Sequence, residues 1–245
     1  MILAAGLGTR LRPLTNDRPK ALVDVGGRAM LEITLTRLRG FDIRDVIINV
    51  HYFADMVIEY LKKNDNFGMH IEVSREDVLL DTGGGLKKAA DFFVKDQRDR
   101  ETSFVLHNVD VISTIDLGLM AQFHKENQAL ATLAVQDRET SRYLLFDERY
   151  QLCGRRTGRD QNDEMAHPAK TVQALAFSGI HIISPRLFDL MPEAGIFSIV
   201  TAYLRLAAQG EKILAFRADD CYWRDLGRPE DVLQAAQNLK QQILS

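Results

Sequence analysis

The chain has 245 residues, 46% of them hydrophobic and 27% charged, which suits a soluble globular protein with a sizeable core. Its net charge of −3 favours neither a nucleic-acid nor a membrane surface, and no apolar run approaches the ~20 residues of a transmembrane helix. The N-terminus lacks a signal-peptide pattern, and Cys153 and Cys221 have no disulfide-framework or zinc-site spacing, so we predict a cytoplasmic protein.

The chain opens with an apolar, strand-like run, residues 1–5, that leads directly into Gly6-Leu7-Gly8-Thr9-Arg10. We call residues 4–10 the glycine loop. Glycines at the end of a strand leave backbone N–H groups exposed, and a nest of such groups suits phosphate oxygens. Arg10 and Lys20 add cationic side chains, and arginine can bind a phosphate through two hydrogen bonds. The loop therefore predicts a phosphate site.

Two better-known phosphate loops do not fit this segment. A P-loop requires Gly-x-x-x-x-Gly-Lys-Ser/Thr, which is absent. A dinucleotide fingerprint requires a third glycine where Leu11 stands, followed by a helix. Because Pro13 disfavours a helix here, we predict an extended loop up to Pro19 that carries Lys20 back toward the glycines. An ordinary strand and turn with surface charges is the alternative.

The pattern in the first half of the chain alternates strands with helices. Apolar runs typical of buried strands lie at residues 46–50, 71–74 and 104–108. Helical spacing predicts helices at 29–39, near 53–63, from Leu86 onward and at 117–125. This alternation favours a parallel sheet with right-handed crossovers. We predict an α/β fold, a three-layer α/β/α sandwich with a mostly parallel, Rossmann-like sheet.

The second half of the chain has a different character. Strands are predicted at 129–135, 143–146, 151–153, 174–183, 213–217 and 221–225. Helices are predicted from Pro185, at 199–208 and from Pro229 to about residue 243. Residues 154–170 are polar and charged and are predicted to form a loop. No clean linker interrupts the chain, so we predict a single domain, 1–245.

Two aspartates follow predicted strands. Asp110 closes Asn108-Val109-Asp110, just after the run 104–108, and Asp225 ends the strand 221–225. The carboxyl ends of parallel strands are where α/β sheets place ligands, and a strand-end turn is the alternative. A second glycine-rich segment, Asp81-Thr82-Gly83-Gly84-Gly85, stands before a predicted helix and would let backbone approach a planar group or an anion.

The opening segment resembles the signature of the sugar-phosphate nucleotidyltransferases, Gly-x-Gly-Thr-Arg-Leu-x-Pro-Leu-Thr followed by Pro-Lys. Every fixed position matches, at Gly6, Gly8, Thr9, Arg10, Leu11, Pro13, Leu14, Thr15, Pro19 and Lys20. Matches continue over nearly the whole chain. The chain is most similar to small uridylyltransferases of N-acetylmuramate 1-phosphate, which make a cell wall precursor, and to short mannose-1-phosphate guanylyltransferases.

The resemblance implies transfer of a nucleotidyl group from an NTP, preferably UTP, to a sugar 1-phosphate, preferably N-acetylmuramate 1-phosphate. GTP with mannose or heptose 1-phosphate is the alternative. The missing Asp-x-Asp at Asp110 argues against a nucleotide-sugar glycosyltransferase, and the retained Lys20 against a non-catalytic nucleotide-binding homologue. The expected partners are the two substrates, without nucleic acid or membrane, and the expected state is a monomer or homodimer.

The resemblance also implies residue roles. Arg10, Lys20, Asp110 and Asp225 are the expected catalytic residues, and the two aspartates are the expected Mg²⁺ ligands. Nucleotide binding is expected at Ala4, Ala5, Gly6, Leu7, Gly8, Thr9, Arg10, Lys20, Thr82, Gly83 and Gly84. Sugar binding is expected at Asn108, Gly179 and Asp225, although 140–143 lacks the acid of the nearest relatives. Residues 1–128 form the expected nucleotide-binding half and 129–245 the inserted sugar-binding half, with 154–170 as a lid or self-association surface.

Overall fold

The computed structural model describes residues 1–95, 102–158 and 162–240. By internal contacts the chain divides into two compact units that interleave along the sequence. The first unit comprises Met1–Leu79, His107–Ile115 and Cys221–Ser245, and the second comprises Leu80–Leu106 and Asp116–Asp220. The predicted halves, 1–128 and 129–245, are consecutive and have different bounds, and their assignment to nucleotide and sugar stays a prediction.

The first unit is built on a parallel sheet. Its strands are β1 (Ile2–Leu3), β4 (Asp45–Val50), β5 (His70–Arg75) and the last two residues of β6 (Phe104–Asn108), in the order β6-β1-β4-β5. Two antiparallel pairs accompany it, β2 (Asp24–Val25) with β3 (Arg28–Ala29), and β7 (Val111–Ser113) with β14 (Trp223–Asp225). The helices of this unit are α1 (Met30–Gly40), α2 (Ala54–Lys63) and α6 (Pro229–Lys240).

The sequence pattern explains these elements. Residues 46–50 of β4 are all buried, as the continuous apolar run predicts for a central parallel strand. The buried face of α1 carries the residues at helical spacing, namely Met30, Leu31, Ile33, Thr34, Leu35 and Leu38. These two predictions are confirmed.

The second unit contains a mixed sheet. Its strands run in the order β13 (Ile213–Arg217), β8 (Ala131–Gln136), β12 (Gln173–Ile183), β9 (Arg142–Phe146), β10 (Leu152–Thr157) and β11 (Asn162–Met165). Strands β8 and β13 are parallel, and the other neighbours are antiparallel. Its helices are α3 (Asp81–Lys88), α4 (Leu117–Asn127) and α5 (Ile199–Ala208). The predicted α/β fold with a Rossmann-like parallel sheet is confirmed, and the antiparallel strands fall mainly where the sequence changes character.

Residues 154–170, predicted to be a loop, contain most of a β-hairpin. Strands β10 and β11 pair antiparallel, and their charges neutralise each other across the pair. Arg155 contacts Glu164 at 2.7 Å, and Arg156 contacts Asp163 at 2.6 Å. Opposite charges on facing strand positions stabilise a hairpin, so a charged sequence here forms strands. Residues 159–161 lie outside the described residues.

Other predicted boundaries are also wrong. The first strand covers Ile2–Leu3 instead of 1–5, and the segment before Lys20 consists of turns instead of an extended loop. Pro185 begins a 3-10 turn, Pro185–Leu190, instead of a longer helix. Helix α3 begins at Asp81, so the glycines after it are helical and not in a loop. The predicted end of the last helix near residue 243 lies outside the described residues.

The structure also bears on membrane and thiol chemistry. Within 1–95, 102–158 and 162–240, no helix is long and apolar enough to cross a membrane.

Cys153 is buried and burial raises its pKa to about 11, whereas Cys221 is partly exposed. Cys153 is therefore protected as a neutral thiol at physiological pH.

Candidate active site

The segment after the glycine loop folds back so that Lys20 lies beside Gly8. Gly8 has a left-handed backbone, with φ of +63°. A Cβ placed on it would lie 3.0 Å from Cγ2 of Thr15 and 3.2 Å from Cβ of Lys20. The Thr15 hydroxyl donates a hydrogen bond to the Gly8 carbonyl oxygen at 2.8 Å. The structure thus confirms that the chain returns Lys20 to the glycines, through turns that need a glycine at position 8.

Lys20 forms an ion pair with Asp110. Its Nζ donates a hydrogen bond to Oδ2 of Asp110. The side chains are only 11% and 16% exposed, so water screens this pair less than a surface salt bridge. Asp110 stands between the end of β6 and the start of β7, as the sequence predicted for a strand-end aspartate. The pair holds the lysine side chain in place before any substrate binds.

Asp225 lies next to Asp110 because β7 and β14 are paired. Asp225 is opposite Val111 in the register, and the backbone N–H of Leu226 donates to the Asp110 carbonyl oxygen at 2.7 Å. Burial, and then the charge of Asp110, raise the pKa of the Asp225 carboxyl, while Lys20 and Arg10 act in the opposite direction. Two repelling carboxylates and two cations are therefore gathered in the first unit.

Arg10 reaches the same place by packing on Gly227. A Cβ placed on Gly227 would lie 2.5 Å from Oδ1 of Asp225 and 2.8 Å from Nη2 of Arg10. The glycine leaves room for both groups, and a Cβ there would require the ends of these two side chains to move. Gly227 was not among the site residues predicted from the sequence. Its position two residues after a strand-end aspartate is the signal that could have identified it.

The middle of the glycine loop is open. Ala4 and Ala5 are buried, whereas Gly6, Leu7, Thr9 and Arg10 are exposed. A Cβ placed on Gly6 would meet no atom within 4 Å. Nothing in the protein therefore requires a glycine at position 6 on grounds of space, which leaves close approach of a ligand as a reason for it.

Thr82, Gly83 and Gly84 lie in the second unit, in the first turn of α3. The N–H groups of Gly83 and Gly84 donate to the Phe197 carbonyl oxygen at 2.9 and 3.2 Å, and the Thr82 hydroxyl accepts from the Ile199 N–H at 3.0 Å. A Cβ on Gly83 would lie 2.4 Å from the Phe197 ring. Packing within the unit accounts for glycine at 83, and a role of these residues in nucleotide binding stays a prediction.

The expected sugar contacts fall in both units. Gly179, in the second unit, has φ of +73° within an irregularity where β12 shifts register against β8. Asn108, in the first unit, ends β6 and pairs with Leu3 of β1. Its carbonyl oxygen accepts a hydrogen bond from Nδ1 of His107 at 2.8 Å. Burial, then Arg37, lowers the pKa of His107 to about 4, so this buried ring is neutral at physiological pH.

Metal-binding groups are limited in number. In the part of the chain that the structure describes, no cluster of three or more His, Cys, Asp or Glu side chains could hold a metal ion. Asp110 and Asp225 supply two carboxylates, and a hard cation there would need further oxygens from water or substrate.

Comparison with known proteins identifies the family. The family model described as nucleotidyl transferase matches residues 1–242. The chain belongs to the nucleotidyl transferase family. This nucleotidyl transferase is 33% identical to the mannose-1-phosphate guanyltransferase of Yarrowia lipolytica over 236 residues, covering 95% of this chain and 61% of that protein. It is also 33% identical to the N-acetylmuramate alpha-1-phosphate uridylyltransferase of Caulobacter vibrioides over 247 residues, covering 98% of this chain and 96% of that one.

Solved structures share the fold of this nucleotidyl transferase. HddC from Yersinia pseudotuberculosis, crystallised with GMP-PN, aligns with a TM-score of 0.74 at 23% identity over 97% of each chain. A putative glucose-1-phosphate thymidylyltransferase from Bacillus anthracis aligns with a TM-score of 0.76 at 20% identity, over 96% of this chain and 92% of that one. At these identities the likeness concerns the fold alone.

Proposed function

We propose that this protein transfers a nucleotidyl group from an NTP to a sugar 1-phosphate and releases pyrophosphate. The observation that carries the proposal is the meeting of Arg10, Lys20, Asp110 and Asp225, from four separate segments, beside an open glycine loop. Membership of the nucleotidyl transferase family supports it. A structural arrangement without a role in phosphate chemistry would not need a buried lysine paired with Asp110 and a second cation, Arg10, near Asp225.

The chemistry follows from the charges of the reactants. An oxygen of the sugar phosphate attacks the α-phosphorus in line, an oxygen–phosphorus bond forms, and the bond to the β-phosphate oxygen breaks. The attacking oxygen is already anionic at neutral pH, so the reaction needs no general base. The protein must therefore position two anions and neutralise their charge. Glycine-loop amides and Arg10 would hold the leaving pyrophosphate, and Lys20 would bridge the attacking phosphate and the α-phosphate.

Asp110 and Asp225 fit a divalent cation. Asp225 ends β14, and Asp110 directly precedes its partner strand β7. Burial and then the charge of Asp110 raise the pKa of Asp225, and a cation there would relieve the repulsion between the two carboxylates. Oxygen donors combined with substrate phosphates are the usual environment of Mg²⁺. When bound there, Mg²⁺ would supply neutralisation of phosphate charge. The two aspartates would hold the cation that orients the phosphates, and the ion pair with Asp110 would keep the Lys20 side chain directed toward them.

The preferred substrates are UTP and N-acetylmuramate 1-phosphate, which would place the protein in the supply of a cell wall precursor. The uridylyltransferase relative is covered over 96% of its length, whereas the mannose-1-phosphate guanyltransferase relative is covered over 61%. The identities are equal, at 33%, so GTP with mannose 1-phosphate is the second candidate.

A pyrophosphate-release assay tests the function. Wild-type protein is incubated with each of four NTPs and a panel of sugar 1-phosphates, with Mg²⁺ and with EDTA. We expect release with UTP and N-acetylmuramate 1-phosphate, and kcat/KM at least ~10²-fold lower for Lys20→Ala. Arg44→Ala is the matched control, because Arg44 is an exposed cation paired with Asp42, on the surface of the same unit. Wild-type protein that releases no pyrophosphate with any pair would overturn the proposal.

A further inference from the structure

The start of the glycine loop is held by a buried side chain. The backbone N–H of Ala4, the first residue after β1, donates to Oδ1 of Asn49 at 2.7 Å. Asn49 lies near the end of β4, opposite Leu3 in the register, and is 3% exposed. At the point where the loop leaves the sheet, the N–H of Ala4 is bonded to a side chain on the neighbouring strand. The direction in which the loop leaves therefore depends on that side chain.

Glu76 fixes the orientation of the Asn49 amide. Nδ2 of Asn49 donates to Oε1 of Glu76 at 2.7 Å, and Glu76 is only 2% exposed. Oε1 of Glu76 accepts from the NH₂ end of the amide, and this turns Oδ1 of Asn49 toward Ala4. The backbone holds Glu76 as well, because its N–H donates to Val50 at 2.8 Å and its carbonyl accepts from His51 Nδ1 at 2.8 Å.

A buried carboxyl group is expensive to maintain. Removing it from water costs several kcal/mol unless hydrogen bonds compensate, and an apolar side chain would pack here without that cost. Asn49 likewise places a polar side chain in an otherwise apolar buried strand, after Val46-Ile47-Ile48, and its burial carries a similar cost. These two buried polar side chains form a chain of hydrogen bonds that ends at the first N–H of the glycine loop, so we infer that they act on that loop.

We propose that Asn49 and Glu76 are positioning residues that preorganise the glycine loop for the phosphates of the NTP. The inference rests on the proposed function, since it assigns the loop to NTP. Asn49 holds the start of the loop at Ala4, as Thr15 holds the carbonyl of Gly8. Between these two hydrogen bonds the loop is exposed, and the space around Gly6 is open. Fixing both ends reduces the entropy lost when the loop amides close on phosphate.

The variants are chosen to exchange donor and acceptor. Asn49→Ala removes both bonds. Asn49→Asp still accepts from Ala4 but places two acceptors face to face at Glu76. Glu76→Gln alone should be milder, because its new amide oxygen can still accept from Asn49. In the double variant N49D/E76Q the new amide can donate to the new carboxylate, which restores the chain of bonds with the donor on the other side. Thr132→Val is the control: its hydroxyl makes a buried bond to His124 at 2.9 Å in the second unit.

Three measurements are made on each full-length variant. These are thermal stability, hydrogen exchange of a peptide covering residues 2–11 without ligand, and KM for NTP beside kcat, using the pair that wild-type protein turns over. We expect Asn49→Ala and Asn49→Asp to exchange faster in that peptide and to raise KM for NTP by about tenfold, with a smaller change in kcat. N49D/E76Q should recover most of the loss of Asn49→Asp. Thr132→Val should lower thermal stability without either effect.

The outcomes separate the two proposals. If wild-type protein turns over no NTP, the proposed function fails, and hydrogen exchange still tests whether Asn49 holds the loop. If wild-type protein is active but Asn49→Ala keeps its loop protection and its KM, the positioning role is wrong. A loss of thermal stability alone, equal to that of Thr132→Val, would also overturn it. Failure of the double variant to improve on Asn49→Asp would exclude Glu76 as the orienting group.

Discussion

Gly227→Ala should impair catalysis while the fold stays intact. The added Cβ would lie 2.5 Å from Oδ1 of Asp225 and 2.8 Å from Nη2 of Arg10, whereas ordinary contact begins at 3.4 Å. Relief requires movements of about 0.9 Å at the carboxylate and about 0.6 Å at the guanidinium, or a shift of the backbone between them. The backbone at Gly227 is outside the left-handed region, so an alanine adds crowding without torsional strain.

The magnitude follows from the sensitivity of catalysis to position. A misplacement of about 1 Å can cost ~10²-fold in rate, or about 2.7 kcal/mol of transition-state stabilisation. We therefore expect kcat/KM to fall by about 10²-fold in the pyrophosphate-release assay. The movable ends are side chains near solvent-accessible space, so the midpoint of thermal unfolding should fall by only a few degrees.

Gly40→Ala is the matched control for this substitution. Gly40 is the last residue of α1, and a Cβ there would meet no atom within 4 Å. Alanine in a helix is as stable as glycine or more so, by up to about 1 kcal/mol. The control should keep full activity. Gly227→Ala with activity within about twofold of wild type, and with no loss relative to Gly40→Ala, would refute the argument that Arg10 and Asp225 act from these positions.

Three further predictions follow from single sites. Gly6→Ala should keep wild-type thermal stability but weaken NTP binding measured by calorimetry, because its Cβ meets only the space a ligand would take; unchanged affinity would contradict this. Asp110→Ala and Asp225→Ala should each cost ~10²-fold in rate, and the double variant little more, if they share one ion; multiplying effects would show independent roles. Burial lowers the pKa of His107 and His124 from 6.5 to about 4 in the folded protein. As the pH falls, these histidines are therefore protonated in the unfolded state at a higher pH than in the folded state. Each of the two histidines should therefore cost about 2 kcal/mol of stability as the pH falls from about 8 to 5, and His124→Gln should flatten that slope in denaturant unfolding.

The meeting of Asp110 and Asp225 could be anticipated from sequence because each follows a strand. The structure brings them together in another way, because β14 pairs antiparallel with β7 in a separate two-stranded sheet and Asp110 directly precedes β7. The return of Lys20 was predicted from Pro13 and Pro19, which disfavour a continuous helix, and the structure achieves it through turns instead of the predicted extended loop. The strand ends and the chain reversal could thus be predicted from local pattern, whereas the β7–β14 pairing that joins the two aspartates could not.

The buried pair of Asn49 and Glu76, which holds the start of the glycine loop, could not be predicted from the sequence. Asn49 stands in a run that the sequence analysis treated as a uniformly apolar strand, and Glu76 follows the predicted strand 71–74 without any motif. Only the register between β1 and β4 places the Asn49 amide beneath Ala4. A polar residue inside a buried strand is a weak signal for such a role, because its partner cannot be identified without the pairing of strands.

Packing between distant segments explains the error at α3. Glycines are poor helix formers, by about 1 kcal/mol each relative to alanine, so a run of three before Leu86 predicted a loop. In the structure the Phe197 ring and the Gly195 carbonyl occupy the places where side chains at 83 and 84 would be. The helix forms because that close contact, and the bonds from Gly83 and Gly84 to Phe197, outweigh the intrinsic preference.

The glycines at positions 6, 8, 83 and 227 therefore differ in the physical reason for the missing side chain. At Gly227 the space is filled by two functional groups, and at Gly83 by an aromatic ring. At Gly8 the backbone is left-handed and the neighbours are Thr15 and Lys20. At Gly6 there is neither a protein neighbour nor a left-handed backbone, so neither packing nor torsion within the chain accounts for the glycine. Among these four positions, the argument for a bound ligand is strongest at the glycine for which the protein itself gives no reason.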